Sequence, residues 1–299
     1  EFKATDIEIS NDQNLTIANN GTALIKDDGI IVEGKKIKYF RNKSLLIIDK
    51  GKISSIDQNF EIKSNLIEYE INKSELNFSK EVKIIDKFNN LSIDTDKIKY
   101  DVKNQQIKSQ SSSEIKDKLG NIYLVKNFDY SIRDKVIKLN NLRVFDPDNN
   151  TFIVDIAFLD LKKNELIAKD VGLNFKISKD SENEPRLKGR SLINNEKETV
   201  VKKGTFTFCK KREKCPPWEM GAEEIIHDKT KKIIKYKNAN LKIYDKKVFY
   251  FPKFFHPDPT VKRQTGFLIP RLMDNSATGF SFNLPYFLVL AENKDITIN

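Results

Sequence analysis

Apolar and polar residues alternate along most of the first 176 residues, and the alternation comes in a recurring phrase. The phrase is a hydrophobic residue, any residue, then an aromatic or aliphatic one, with a second alternating apolar pair some seven residues later. It reads Ile7-Glu8-Ile9, Ile37-Lys38-Tyr39, Ile67-Glu68-Tyr69, Ile98-Lys99-Tyr100, Phe128-Asp129-Tyr130 and Ile156-Ala157-Phe158. Successive last positions lie 30, 30, 31, 30 and 28 residues apart. Period-two alternation sends one row of side chains inward and the next outward, so the phrase predicts β-strands. A fixed interval of this length predicts a stack of like units, none of which buries its apolar face alone. Further pairs keep the pattern, at Ile30 and Val32, Leu46 and Ile48, Val82 and Ile84, Ile122 and Leu124, Ile137 and Leu139, and Leu173 and Phe175. Asn11 to Asn14, Asp27-Asp28-Gly29, Asn89-Asn90 and Asp146 to Asn150 punctuate it as turns. No stripe at helical spacing appears, and each unit has room for two or three strands of about five or six residues. The expected fold is all-β, with the repeated aromatics as core layers.

The pattern changes further along. Residues 177–204 break the beat with polar stretches, Ser178 to Pro185 and Asn194 to Lys203, expected as a surface excursion or a domain boundary. The phrase returns once, at Ala222 to Asp228, with His227 where Tyr100 stands before Asp101. From Val248 to Pro257 the chain is aromatic and proline-bearing, which predicts a packed irregular connector because proline cannot donate to a ladder. Gly279 to Leu290 alternates and then becomes apolar on both sides, about the length of a tilted membrane-spanning strand. Ile296 to Ile298 reads as the start of another. A soluble edge strand gives a similar string, so the pattern leaves both readings open. The expected organisation is repeats over 1–204 with a polar insertion near 177–204, a last repeat and junction over 205–247, a connector over 248–278, and first strands of a truncated barrel over 279–299.

Charged residues make up 32% of the 299 residues and hydrophobic ones 38%, a balance suited to strands wet on one face. The formal net charge of +10 raises anionic partners. The lysines, however, alternate with apolar residues, and no tight basic cluster interleaved with aromatics occurs. A solvated strand face is therefore the reading, and nucleic acid is not expected, while the excess remains compatible with phosphorylated ligands. No run of about 18 apolar residues suggests a membrane helix. Glu1 opens the sequence without the basic and apolar regions of a signal peptide, which is expected to be absent or removed.

Catalytic constellations are poor. The histidines His227 and His256 stand 29 positions apart, and neither a glycine-rich phosphate loop nor a G-x-S-x-G elbow occurs. The carboxylate pairs Asp27-Asp28 and Glu223-Glu224 read as solvated turns. No enzyme and no cofactor are expected. Cys209 and Cys215 with the two histidines fit neither common zinc spacing, so no metal site is expected. A disulfide, between the two cysteines or to another part of a longer chain, and free thiols are both consistent with the count. The repeated aromatics carry a functional version beside the core one: a stacked sheet that does not close leaves its apolar interior as a groove for acyl chains.

Thr205-Phe206-Thr207-Phe208-Cys209, Trp218, Ala222 to Asp228, Phe249-Tyr250-Phe251-Pro252, His256-Pro257-Asp258-Pro259-Thr260, Lys262-Arg263, Thr265 to Pro270 and Leu284-Pro285-Tyr286-Phe287 resemble the LptD family of lipopolysaccharide-assembly outer-membrane proteins, also called organic solvent tolerance or OstA-like proteins. The resemblance is dense over 205–299 and rests on the thirty-residue beat over 1–176. It implies an OstA-like elongated β-jellyroll in the periplasm, a connector and the start of an outer-membrane β-barrel. It implies a non-enzymatic role in lipopolysaccharide transport, with lipid A acyl chains held by Ile37, Tyr39, Ile67, Tyr69, Ile98, Tyr100, Phe128, Tyr130, Ile156 and Phe158. The implied partners are lipopolysaccharide, an LptA-like periplasmic bridge protein docking edge to edge, and an LptE-like lipoprotein inside the barrel. Pro285 matches a family proline in the first barrel strand, where a missing donor eases lateral opening. Cys209 matches a family cysteine that pairs with one of an adjacent pair near the barrel's end, whereas Cys215 has no family counterpart and stays unassigned. The N-terminal cysteine of many members is not present. The alternatives are a soluble bridge protein made only of the repeats, and a β-solenoid enzyme acting on acidic polysaccharides.

Overall fold

The computed structural model describes residues 2–298 apart from 11–12, 58, 148–149, 176–183, 210–216, 259–260, 262–264, 269–270, 276–278 and 292. It is all-β: among the described residues, helix is confined to two short 3-10 turns, Arg41–Lys43 and Ile71–Lys73. The chain forms two compact units, Glu1–Leu173 with Ser191–Glu196, and Asn174–Arg190 with Lys197–Asn299.

Unit 1 opens with β1 (Phe2–Lys3) and β2 (Asp6–Ile9), both paired with β3 (Leu15–Ile25). A meander follows: β4 (Ile30–Phe40), β5 (Leu45–Ser55), β6 (Phe60–Glu70), β7 (Glu75–Asp86) and β8 (Leu91–Asp101), each antiparallel to the one before. Four short strands come next, β9 (Gln106–Ser109), β10 (Ser113–Lys116), β11 (Ile122–Val125) and β12 (Asn127–Ser131). β10 and β9 pair with the first and second halves of β8, and β12 and β11 with the first and second halves of β13 (Val136–Phe145). Then β14 (Thr151–Asp160) joins β13, and β15 (Glu165–Asn174) follows. The thirty-residue beat is therefore two strand-and-turn units of about half that length. Turns close on left-handed residues at Gly29, Ser44, Ser74, Asn90, Gln105, Gly120 and Lys135. Asp residues entering the turns accept backbone N–H groups, Asp86 from Asn89 at 2.9 Å and Asp101 from Asn104 at 3.0 Å. That local bond is why Asp and Asn punctuate the chain.

The long strands are kinked at mid-length. Asn20, Lys50, Lys80, Glu81, Asn141 and Asp170 have positive φ inside strands, and the ladder passes over the kink: Gly34 faces Gly51 and Lys36 faces Asp49, with Lys35 and Lys50 between. The extra residue switches the inward phase. In β5 the inward residues are Leu46 and Ile48 before the kink and Ile53 after it. The kink also folds the sheet on itself. Asp28 lies in the turn before Ile30, which pairs with Ser55 near the start of β6. Tyr69 is nine residues along β6 from Phe60, about 30 Å away on a straight strand. Its hydroxyl nevertheless donates to the Asp28 carboxylate, so the two halves of the sheet face each other, as in a jellyroll.

Several expected faces are corrected by the ladder. Ile122 and Leu124 point outward while Tyr123 and Val125 are buried, and Ile7 and Ile9 on β2 are exposed. β11 is apolar on both sides, so alternation alone could not choose its inner row; β2 lies at the start of the sheet, paired with β3.

Within the stretch expected as a polar excursion lie β16 (Glu184–Asn194) and β17 (Glu198–Cys209). In unit 2, β17 pairs with β18 (Trp218–Asp228), β18 with β19 (Ile233–Ile243), and β19 with β20 (Lys246–Pro257). The run expected as an irregular connector is thus a twelve-residue strand. Pro252 fits because it stands opposite the kink residue Asn238, where the ladder steps from Phe251 to Lys253 and asks for no donor. Beyond it come β21 (Gly266–Phe267), β22 (Arg271–Asn275), β23 (Gly279–Asn283), β24 (Tyr286–Ala291) and β25 (Lys294–Ile298). β22 pairs with β23, while β24 lies between β21 and β25. The single strand expected over Gly279 to Leu290 is two strands, divided at Leu284-Pro285, where Pro285 brings no N–H.

Candidate functional site

The inner face of unit 1 is built from two cross-strand rows. One runs Ile37, Ile48, Ile67, Phe78, Ile98, each residue facing the next across the ladder. The other runs Tyr39, Leu46, Tyr69, Leu76, Tyr100, Ile107, Tyr130, Ile137, Leu159. The aromatic beat is legible here as geometry: a tyrosine on every second strand, with an aliphatic residue between. Ile37, Ile67, Tyr69, Ile98, Tyr100, Phe128 and Tyr130 are buried as the pattern predicts, and Tyr39 is half-buried.

Ile156 and Phe158 depart from it. They are 47% and 44% exposed and face outward, and Ala157 and Leu159 take the inner places opposite Leu139 and Ile137. The physical reason is that β14 is apolar on both sides, so the phrase fits either phase. Its buried Phe152 and Val154, with the phase switch after them, decide for Ala157 and Leu159.

The rows end at a seam where the facing halves meet. Tyr130 donates to Asp86 at 2.5 Å, and Asn89 donates to Asp86 at 2.7 Å and to the Tyr130 oxygen at 3.3 Å. Tyr69 donates to Asp28. The Phe60 and Tyr100 rings stand 6.2 Å apart, and Lys135 Nζ lies 3.7 Å from the centre of the Phe88 ring. Burial pushes the Tyr100 phenol up to about 12, with the Asp101 and Asp28 charges adding to it. Burial likewise raises Tyr130, with Asp86 second. Both phenols are therefore neutral at physiological pH, Tyr130 as a donor. Asp28, read from sequence as part of a solvated pair, is instead a seam acceptor, while Asp27 is exposed. Sequence reasoning missed Asp28, Asp86 and Phe60; the turn clusters marked their places but not their partners, which lie 41 and 44 residues on for the two carboxylates. A cavity of about 130 Å³ sits at the seam against Phe60, Ile62, Tyr100 and Asp28.

Unit 2 carries the two histidines in an aromatic cluster. His256 Nδ1 lies 2.5 Å from the Pro257 carbonyl and so donates to it, which leaves Nε2 to accept the Tyr236 hydroxyl at 2.7 Å. Burial pushes the His256 imidazole below its ordinary value of 6.5. Phe206 packs on it at 5.0 Å and on Tyr236 at 6.4 Å, and Phe175 meets the His227 ring at 5.5 Å. His227 contacts the buried Asp258 carboxylate. Among the described residues no group of three or more His, Cys, Asp or Glu side chains could hold a metal ion. Cys209 ends β17, and its side chain, like the whole of Cys215, lies outside the described residues. Pro285 is buried, and its carbonyl accepts the Leu268 N–H at 2.8 Å.

These features define an all-β protein of the jellyroll class with an apolar interior row. The particular proteins it resembles are LPS-assembly proteins. A stretch of 100 residues, 33% of this chain, is 40% identical to LPS-assembly protein LptD of Yersinia pestis bv. Antiqua (strain Antiqua) and of Sodalis glossinidius. The corresponding identity to LPS-assembly protein LptD of Escherichia coli K12 is 35%. The match spans 12% of the length of each of these relatives. No protein-family model matches the chain.

Proposed function

We propose that this chain serves lipopolysaccharide transport and assembly at the outer membrane, with unit 1 in the periplasm receiving lipid A acyl chains on its inner face. The observation that carries the reading is the unbroken apolar row from Tyr39 to Leu159, a continuous apolar surface along which alkyl chains can lie. Similarity to LPS-assembly proteins over a third of the chain supports it. The role is non-enzymatic and uses no cofactor; the driving energy comes through partners. Docking of an LptA-like bridge protein by β-augmentation suits the N-terminal edge, where the short strands β1 and β2 lie end to end along β3. The strands after β20 belong in this reading to a barrel that holds an LptE-like lipoprotein, with Pro285 as a weak point for lateral release.

Photo-crosslinking tests the groove. A photoreactive residue in place of Ile67, Tyr100 or Phe128 is expected to capture lipopolysaccharide, whereas the outward neighbours Glu68, Lys99 and Asp129 are expected to capture little. Equal capture from both faces overturns the reading.

A further inference from the structure

We propose that acyl chains enter unit 1 sideways, through the seam, and that the Asp28–Tyr69 and Asp86–Tyr130 pairs are the latches that part to admit them. The inference rests on the lipid-carrying reading above. Ile48, Ile67, Phe78, Ile84 and Ile93 have no solvent-accessible surface. A side chain with none leaves no water-sized void beside it, so the closed interior has no room for an alkyl chain along these rows. The facing halves must separate before a chain can lie between them.

The seam is the side on which they would separate. At the kink line the halves are continuous strands, with the backbone running through Gly34, Gly51 and the residues beside them. At the seam the contacts among the described residues are between side chains: the two Tyr–Asp bonds, Asn89 bridging Asp86 and Tyr130, the Phe60 and Tyr100 rings, and Lys135 over Phe88. A Tyr hydroxyl bonded to a carboxylate is a strong contact while closed and is replaced by water when open, which makes it a reversible clasp in a way that buried apolar packing is not. The small cavity against Phe60, Ile62 and Tyr100 already breaks the packing at the mouth, in reach of the first methylene groups of a chain. The occupant is an acyl chain, because the two cross-strand rows behind the latches are aliphatic or aromatic throughout.

The test uses the full chain with Cys209 and Cys215 replaced by serine, and a dye-labelled saturated fatty acid as probe. Asp28→Cys with Tyr69→Cys, and Asp86→Cys with Tyr130→Cys, are joined across the seam by a short bismaleimide. Linked protein is expected to lose probe uptake, while the same variants left unlinked take it up. Tyr69→Phe with Tyr130→Phe keeps the rings and removes only the donors, and is expected to take up probe about tenfold faster. Uptake at the same rate by linked and unlinked protein, or an unchanged rate in the double phenylalanine variant, overturns the seam as entry and leaves the lipid reading standing. Failure of every form, the parent included, to bind the probe overturns both.

Discussion

Gly51 shows how a single residue supports the kink. A Cβ there would meet Ile48 Cγ2 at 2.4 Å and the Glu33 carbonyl oxygen at 2.8 Å, and that oxygen belongs to the neighbouring backbone and cannot turn away. Gly51→Ala is therefore expected to destabilise unit 1 by about 1–3 kcal/mol in urea unfolding. Gly172→Ala, where a Cβ meets nothing within 4 Å, is the matched control, expected to change stability by under about 0.5 kcal/mol. Similar losses at both sites would remove the close-approach explanation. Ion pairs on the outer face, such as Lys52 with Glu33 at 3.2 Å and Lys99 with Glu75 at 2.8 Å, join adjacent strands but contribute at most about 1 kcal/mol each, being half in water. The many lysines serve as the wet side of strands, which is what their alternation with apolar residues suggested.

At the scale of the element, the deciding quantity is phase. β14 offers Phe152, Ile153, Val154, Ile156, Ala157, Phe158 and Leu159 to two faces, and its ladder with β13 seats Ala157 inside and Phe158 outside. Phe158→Asp is expected to shift the heat-unfolding midpoint little, with a change within about 1 kcal/mol. Ala157→Asp buries a charge without a partner and is expected to unfold the unit or lower the midpoint sharply. The reverse ranking would mean that the strand sits one residue out of the described register. The thirty-residue beat located the strands and the tyrosine row from Tyr39 to Tyr130. It could not locate the kinks, because a polar doublet in mid-strand, such as Lys35-Lys36 or Asn140-Asn141, looks like ordinary solvent-facing sequence until the ladder passes over it. β20 shows the opposite error: its prolines suggested irregularity, and the kink opposite Asn238 gave Pro252 a place that needs no N–H.

For the folded molecule as a whole, the His256 site predicts how stability depends on pH. The imidazole is buried in its neutral form, both nitrogens are engaged, and its folded-state value lies below the ordinary 6.5. The unfolded chain therefore binds a proton at a higher pH than the folded one. Stability is at its full value above about 6.5, falls as pH drops below that, and has lost its His256 contribution once pH is under the folded-state value. Asp258 opposes the shift and His227 adds to it, both after burial. Unfolding midpoints measured from pH 7.5 to 4.5 are expected to decline for the native chain and to decline less for His256→Phe, which keeps a ring against Phe206. Parallel pH profiles for the two proteins would show that the histidine is not the group concerned.

The sequence by itself determined the all-β class, the turn positions, the inward tyrosines on alternate strands and the resemblance of residues 205–299 to a lipopolysaccharide-assembly family. Each of these is a local matter of period-two patterning, turn chemistry or a short string of residues, and local order is what a sequence displays directly. Tertiary structure alone decided the phase of β11 and β14, the kink that folds each strand back, and the partners of Tyr69 and Tyr130. Those depend on which backbone lies beside which. Asp28 and Tyr69, 41 residues apart in the chain, meet only because the strands double back, and no spacing rule in a repeat of two half-units can state where a folded sheet brings its two edges together.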